Sequence, residues 1–466
     1  MRTSYALPSE PVELAACLRR VVARRKGVGR SERLIQIYIL VQIVCQLALL
    51  PSVLAPFRSG FRVASFGFSL LMLAMVPGRA APHPASRAAL VIFGLLIIEL
   101  FHPTTNGIVS GAAQIGMYAA ILAPLFWAAR APLGSTSLRR ILLILWLFHT
   151  ASAAVGILQV RFPGQFQPNL SSVIQNQGAG YVQSLYMSTS SGVSVLRPMG
   201  LTDMPGGAGM AGLYAVLFGI GFYLLERRSV MKALQAVSIL IGIVAVLLCQ
   251  VRSLLVALLL CVATIVVILA KRGSGAKLVT LAGMIGAVMF IAAAWTFSLA
   301  EEAVTKRLST LVQSDTATVY YTNRGHFLEQ TVYELLPRYP LGAGLGRWGM
   351  MNAYFGSADD PSTEPIYVEI QWTGWLLDGG LPLILAYSAT LWIAVRTATR
   401  IALTHHHGSL WLWGVILAGY NVGACALTFN YPVFIGQLGL EFWLFNALIF
   451  AAARSQARAS LRSRVV

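Results

Sequence analysis

The amino-acid sequence predicts an all-α polytopic membrane protein of about twelve transmembrane helices, with a large loop between spans nine and ten. Three observations carry that expectation. Of 466 residues, 57% are hydrophobic and 11% charged, too few polar side chains to cover a soluble globule. Apolar runs long enough to cross ~30 Å of hydrocarbon, about 20 residues each, recur along almost the whole chain. The alternating pattern of barrel strands is absent, so helices are expected to satisfy the backbone.

Residues 1–33 carry Arg19, Arg20, Arg24, Arg25, Lys26 and Arg30, with Leu14, Leu18, Val21 and Val22 at helical spacing and Pro11 at a helix start. This segment reads as a basic amphipathic helix on an anionic membrane surface, and no cleavage site closes the apolar segment after it. The spans expected next are 34–55, 63–78, 88–101, 111–129, 141–160, 207–225, 233–249, 253–270 and 278–298. Three more, at 367–395, 409–428 and 435–453, precede a basic tail at 454–466. Twelve spans place both termini on one side. The termini and the connections on their side hold 25 of the 35 Lys and Arg residues, which makes that side cytoplasmic. The net charge of +18 therefore reads as topology, and no nucleic-acid partner is expected.

Two connections on the far side are long, 161–206 and 299–366, and long connections are where function or disorder concentrates. The first is rich in Ser, Gly, Gln and Asn. The second has a helical patch from Asn323 to Leu336, with Leu328, Val332 and Leu335 expected on one side. The run Leu341-Gly342-Ala343-Gly344-Leu345-Gly346-Arg347-Trp348 lacks the Lys-Ser/Thr and βαβ context of a nucleotide loop and reads as a tight turn for close backbone packing. The five cysteines show no CxxC spacing, so neither a metal site nor a disulfide framework is expected.

Ten basic residues sit on the far side against the charge bias: Arg58, Arg62, Arg161, Arg197, Arg252, Lys306, Arg307, Arg324, Arg338 and Arg347. Taken singly, each reads first as a solvated loop charge. Together, guanidinium groups near that membrane face suit a phosphate or diphosphate, whose oxygens their fork matches. Arg197 precedes an apolar helix in an irregular stretch, Arg252 sits in a tight turn between two spans, and Arg324 opens the loop helix. Carboxylates number only 17. Asp378 falls inside span ten, Glu369 and Glu364 lie near its outer end, and Glu99 and Glu441 fall in or beside spans three and twelve. A carboxylate facing a cavity suits a general base, and His326 is a second candidate base. Caps and ion-pair partners are the plainer readings of the same residues.

The order of motifs over roughly residues 190–390 resembles the O-antigen ligase and Wzy-type polysaccharide polymerase superfamily. Arg197-Pro198-Met199-Gly200, followed by Pro205-Gly206, is similar to its Arg-x-x-Gly and Pro-Asn/Gly element, and Val251-Arg252-Ser253 to its Ser-Arg element. Arg307-Leu308-Ser309, Asn323-Arg324 and Tyr339-Pro340-Leu341-Gly342-Ala343-Gly344 resemble its loop helix and Pro-Leu-Gly-x-Gly segment. Tyr367-Val368-Glu369 with Asp378-Gly379-Gly380-Leu381 resembles the segment ending Glu-x-Gly-Leu-x-Gly. Ligases usually begin that segment with His-Asn; Glu369-Ile370 stands there, which favours a polymerase.

The resemblance implies a bacterial inner-membrane glycosyltransferase, metal-independent and without a cofactor, with its active site and large loop periplasmic. It would transfer a glycan from undecaprenyl diphosphate to a sugar hydroxyl of another lipid-linked repeat unit, making O-antigen or exopolysaccharide. The partners implied are the lipid-linked donor and acceptor, membrane lipid, and chain-length regulator and flippase proteins. The residues implied are Arg197, Arg252 and Arg324, with Arg338 in reserve, for the diphosphate, and Glu369 or Glu364 for the acceptor. A ligase acting on lipid A core or protein shares this donor chemistry. A transporter of lipid-linked oligosaccharide is the rival of another class, and it would be expected to carry ionisable groups near mid-span.

Overall fold

A computed structural model describes residues 11–76, 80–170, 172–175, 179–188, 194–312, 318, 320–357, 366–405 and 408–465. It is an all-α membrane protein in which helices fall at every expected span. They are α1 (Pro11–Ala48), α2 (Arg58–Met75), α3 (Ser86–Glu99), α4 (Ile108–Trp127), α5 (Ser135–Arg161), α6 (Gly207–Leu225), α7 (Ser229–Leu248), α8 (Arg252–Lys271), α9 (Gly275–Val312), α10 (Gln371–Thr404), α11 (Leu410–Leu427) and α12 (Gln437–Val465).

Among the described residues, nine helices are long and apolar enough to cross a membrane, and α1 with α2 passes as a pair bent by 116°. Helix α3, with 14 residues, is about 21 Å long at 1.5 Å per residue. Turns close it at both ends. Before it, the His83 carbonyl accepts from the Ser86 N–H. After it, Pro103 has no N–H to return to the Glu99 carbonyl, which accepts instead from the His102 N–H and the Thr105 hydroxyl. Helix α1 begins at Pro11, as expected, and the basic segment runs unbroken into the first apolar stretch.

The most deeply buried spans are α6, α11 and α12, while α9 lies at the periphery. Helices α6 and α7 cross closely because Gly212 faces Gly242: a Cβ on Gly212 would stand 2.5 Å from the Gly242 carbonyl. Without water to drive helices together inside a bilayer, such small-residue contacts and dispersion hold the bundle. An aromatic cluster of Tyr214, Phe218, Tyr420 and Phe445 fills the centre.

Contacts between connections sort them into two faces. On one, Glu32 accepts from Ser137 and Arg140, Arg139 pairs with Glu226 at 3.7 Å, Lys277 caps the Leu224 carbonyl, Arg272 reaches His405, and Arg454 donates to the Ala81 carbonyl. On the other, Arg62 meets Asp203, Thr104 meets Ala343, Asn430 meets Ser253, and Arg324 meets Glu369. These groups coincide with the basic and the less basic sides read from the sequence.

The two long connections differ from expectation in their interiors. Helix α9 continues to Val312, so the stretch expected as loop from 299 begins as helix. The 161–206 connection holds short helical turns and an antiparallel hairpin, Tyr186–Ser188 with Ser194–Leu196. Residues 321–338 are helical with two wider turns. Of the apolar residues expected on one side of this helix, Leu328 and Leu335 are half-buried. Val332 is exposed, and Thr331 is the buried residue, its hydroxyl 2.6 Å from that of Thr373.

Candidate functional site

The less basic face is organised by two fixed turns. The first is the stretch after the hairpin. Gln159 of α5 clamps it from below, its Oε1 accepting from the Met199 and Gly200 N–H groups at 2.8 Å and its Nε2 donating to the Gly200 carbonyl at 2.9 Å. Ser152 accepts from Leu201. Gly200 has φ +66, and a Cβ there would stand 2.6 Å from the Ser152 carbonyl, so glycine is required. Arg197 enters this stretch with its backbone N–H donating to the Leu185 carbonyl.

Next to Arg197 in the chain, Pro198 meets Cys249, the residue that begins the α7–α8 turn. The Cys249 thiol in turn contacts the Pro198 and Gly206 carbonyls at 3.7 Å. Gln250 adopts φ +54, a left-handed conformation uncommon outside glycine. That turn delivers Arg252 as the first residue of α8. The turns that carry Arg197 and Arg252 thus meet at one corner of the less basic face.

The second turn is the Gly-rich run. Gly342, Gly344 and Gly346 all have positive φ, and a Cβ on them would stand 2.6 Å from the Glu99 carboxylate, 2.6 Å from the Thr105 nitrogen and 2.1 Å from the Ser110 hydroxyl. This is the close backbone packing read from the sequence. Asp378, fully buried in α10, locks the run in place. Its Oδ1 accepts from Trp348 at 2.7 Å, and its Oδ2 accepts from Tyr118 at 2.6 Å and Gln114 at 2.9 Å. With both oxygens engaged, Asp378 is a clasp joining α4, α10 and the turn. Helix α10 bends just after it at Gly379 and Gly380.

Between the turns lies a pair that the sequence named singly. Arg324 stands 3.1 Å from Glu369, with the Tyr367 hydroxyl also donating to that carboxylate. Both charges are largely covered, at 33% and 15% side-chain exposure. The 428–431 turn links this pair to the Arg252 corner. Phe429 accepts from Tyr320, Thr428 accepts from the Gln371 backbone, and Asn430 donates to Ser253, the residue after Arg252.

The other site residues named from sequence divide. His326 lies two residues from Arg324, its Nδ1 3.2 Å from the Tyr321 carbonyl. Arg338 is exposed at the far end of the loop helix, its guanidinium 5.2 Å over the Tyr339 ring, and no described contact brings it to the Arg324–Glu369 pair. Glu364 lies outside the described residues.

Two residues not singled out belong to the same face. Arg62 of α2 forms a 2.5 Å ion pair with Asp203 in the Arg197 stretch and reaches the Met350 sulfur at 3.2 Å, so it ties both turns together. Arg347, 5% exposed, donates to the Ala343 carbonyl inside the Gly-rich run. The available signal was their place among the ten basic residues retained on that side. On this face Arg197 and Arg252 belong to two turns in contact through Cys249, and Arg324 is paired with the Glu369 carboxylate. No family model and no curated protein matches this chain.

Proposed function

We propose that this chain is a polysaccharide polymerase of a bacterial inner membrane, with twelve spans, cytoplasmic termini and a periplasmic site. It would extend a glycan held on undecaprenyl diphosphate by transfer to a sugar hydroxyl of another lipid-linked unit. The observation that carries this reading is the Arg324–Glu369 pair at 3.1 Å, joined through the 428–431 turn to the corner of Arg252 and Arg197.

In the transfer, the acceptor oxygen forms a bond to the anomeric carbon as the bond from that carbon to the diphosphate oxygen breaks. The acceptor proton goes to a base, and the diphosphate leaves with its charge met by arginines. Glu369 is the base in this account and Arg324 one of the cations. A bound diphosphate competes with Glu369 for the Arg324 guanidinium, because phosphate oxygens match its fork as a carboxylate does. Donor binding would then release the carboxylate toward the acceptor hydroxyl, making the base available only when the leaving group is in place.

A second reading has an observation of its own. Glu441 and His149 lie in the middle of the bundle, 4.0 Å apart, and intramembrane ionisable groups accompany transport. Deletion of the gene in its host, followed by gels of surface and secreted polysaccharide, separates the readings. A polymerase leaves single repeat units attached to their acceptor. Long polymer that stays unattached indicates a ligase, and absence of any outward-facing unit indicates a transporter.

A further inference from the structure

The interior of the bundle holds a group that the transfer reaction does not use. Glu441 of α12 and His149 of α5 are each 6% exposed, with the imidazole Nε2 4.0 Å from Glu441 Oε1. Among the described residues neither His149 Nε2 nor Glu441 Oε2 makes a hydrogen bond of ordinary geometry, and the Tyr214 hydroxyl is the neighbouring donor to the Glu441 carboxylate. Gln437 donates to Oε1 at 3.4 Å. The titratable groups from packed elements are Tyr38 of α1, Tyr214 of α6 and Tyr420 of α11, with His149 from α5. Helices α4 and α10 direct Tyr118 at Asp378 and Tyr387 at Trp443 instead. No Arg or Lys pairs with Glu441 among the described residues.

A cleft between α1, α5 and α12 reaches the Glu441 side of the pair, lined by Gln42, Gln46, Phe148, Gln437 and Glu441 among others. Its amide wall is fixed, since Gln42 donates to the Ser65 carbonyl and accepts from the Ser65 hydroxyl. An ionised carboxylate so enclosed and without a cation is costly.

We propose that His149 and Glu441 form a site that binds one exchangeable proton, loaded through the cleft between α1, α5 and α12. Carboxylate plus neutral imidazole carries one negative charge. Adding one proton to either partner makes the pair neutral, which removes the cost of enclosure. Imidazolium beside carboxylate and imidazole beside carboxylic acid are the two forms of that state, and a small approach of the two side chains exchanges them. The site does not depend on the polymerase reading.

The test is pH-difference infrared spectroscopy of the full chain in lipid nanodiscs, with wild type, Glu441→Gln and His149→Gln. The wild type is expected to show a protonated-carboxyl band that declines as pH rises. Glu441→Gln removes that band. In His149→Gln it persists to higher pH by about one unit, because the imidazolium that favours the carboxylate is gone. Unchanged spectra in both variants would overturn the proposal, as would a band that responds to sodium chloride at fixed pH and not to pH. If Glu441→Gln fails to fold, the His149→Gln midpoint alone decides: no shift from wild type overturns the proposal.

Discussion

At the scale of single residues, the less basic face holds charges with fully engaged structural partners and charges on which the proposed transfer draws. Asp378 satisfies three buried donors, so Asp378→Ala would strand them and cost about 2–4 kcal/mol. The expected outcome is a lower thermal unfolding temperature for the purified protein, while Asp378→Asn, which keeps the acceptor toward Trp348, loses less. Glu369 differs: one of its partners is Arg324, itself a candidate ligand. Glu369→Gln is expected to leave unfolding unchanged and cut polymer formation about 10²-fold or more, and a large drop in stability would reassign it as structural. Arg62 belongs to the structural set, because Asp203 and Met350 are its partners. Arg62→Ala is expected to weaken turnover severalfold by loosening the stretch that carries Arg197, without changing which products form.

At the scale of elements, the apolar runs were legible because lipid imposes a simple rule of length and composition. The far end of α9 was not. Residues 299–309, Leu-Ala-Glu-Glu-Ala-Val-Thr-Lys-Arg-Leu-Ser, are too polar to be read as membrane span. They are nonetheless strong helix formers with no Gly or Pro, so the helix continues past the apolar run. The loop helix was read at the right place, and its apolar side is only partly covered, with Leu328 and Leu335 half-buried and Val332 exposed. The Gly-rich run was legible as a tight turn, and its contact with α4 was not. Gly346→Ala tests that contact: φ +74 and a 2.1 Å approach to Ser110 predict a loss of roughly 1–3 kcal/mol, measured as reduced thermal stability. Gly436→Ala, where nothing stands within 4 Å and φ is negative, is the matched control and is expected to be near neutral.

At the scale of the whole molecule, charge bias and contacts agree on two faces, and the candidate site lies wholly on the less basic one. Its residues come from α2, the 197–206 stretch, the start of α8, the loop helix and the approach to α10. Such convergence was only partly legible. Arg197, Arg252, Arg324 and Glu369 carried local motifs, whereas Arg62 and Asp203 are partners across 141 positions with no motif at either end. The buried Glu441 and His149 were similarly silent as a pair, because single carboxylates in spans read as caps until their neighbours are known.

Reconstituted vesicles containing the purified chain, with undecaprenyl-diphosphate-linked repeat units on the site-bearing face, distinguish transfer from transport. The account predicts a ladder of lengthened glycans with release of undecaprenyl diphosphate, reduced about 10²-fold or more in Arg324→Ala and Glu369→Gln. Movement of the intact lipid-linked unit across the bilayer, with no lengthening and no released carrier, would contradict it.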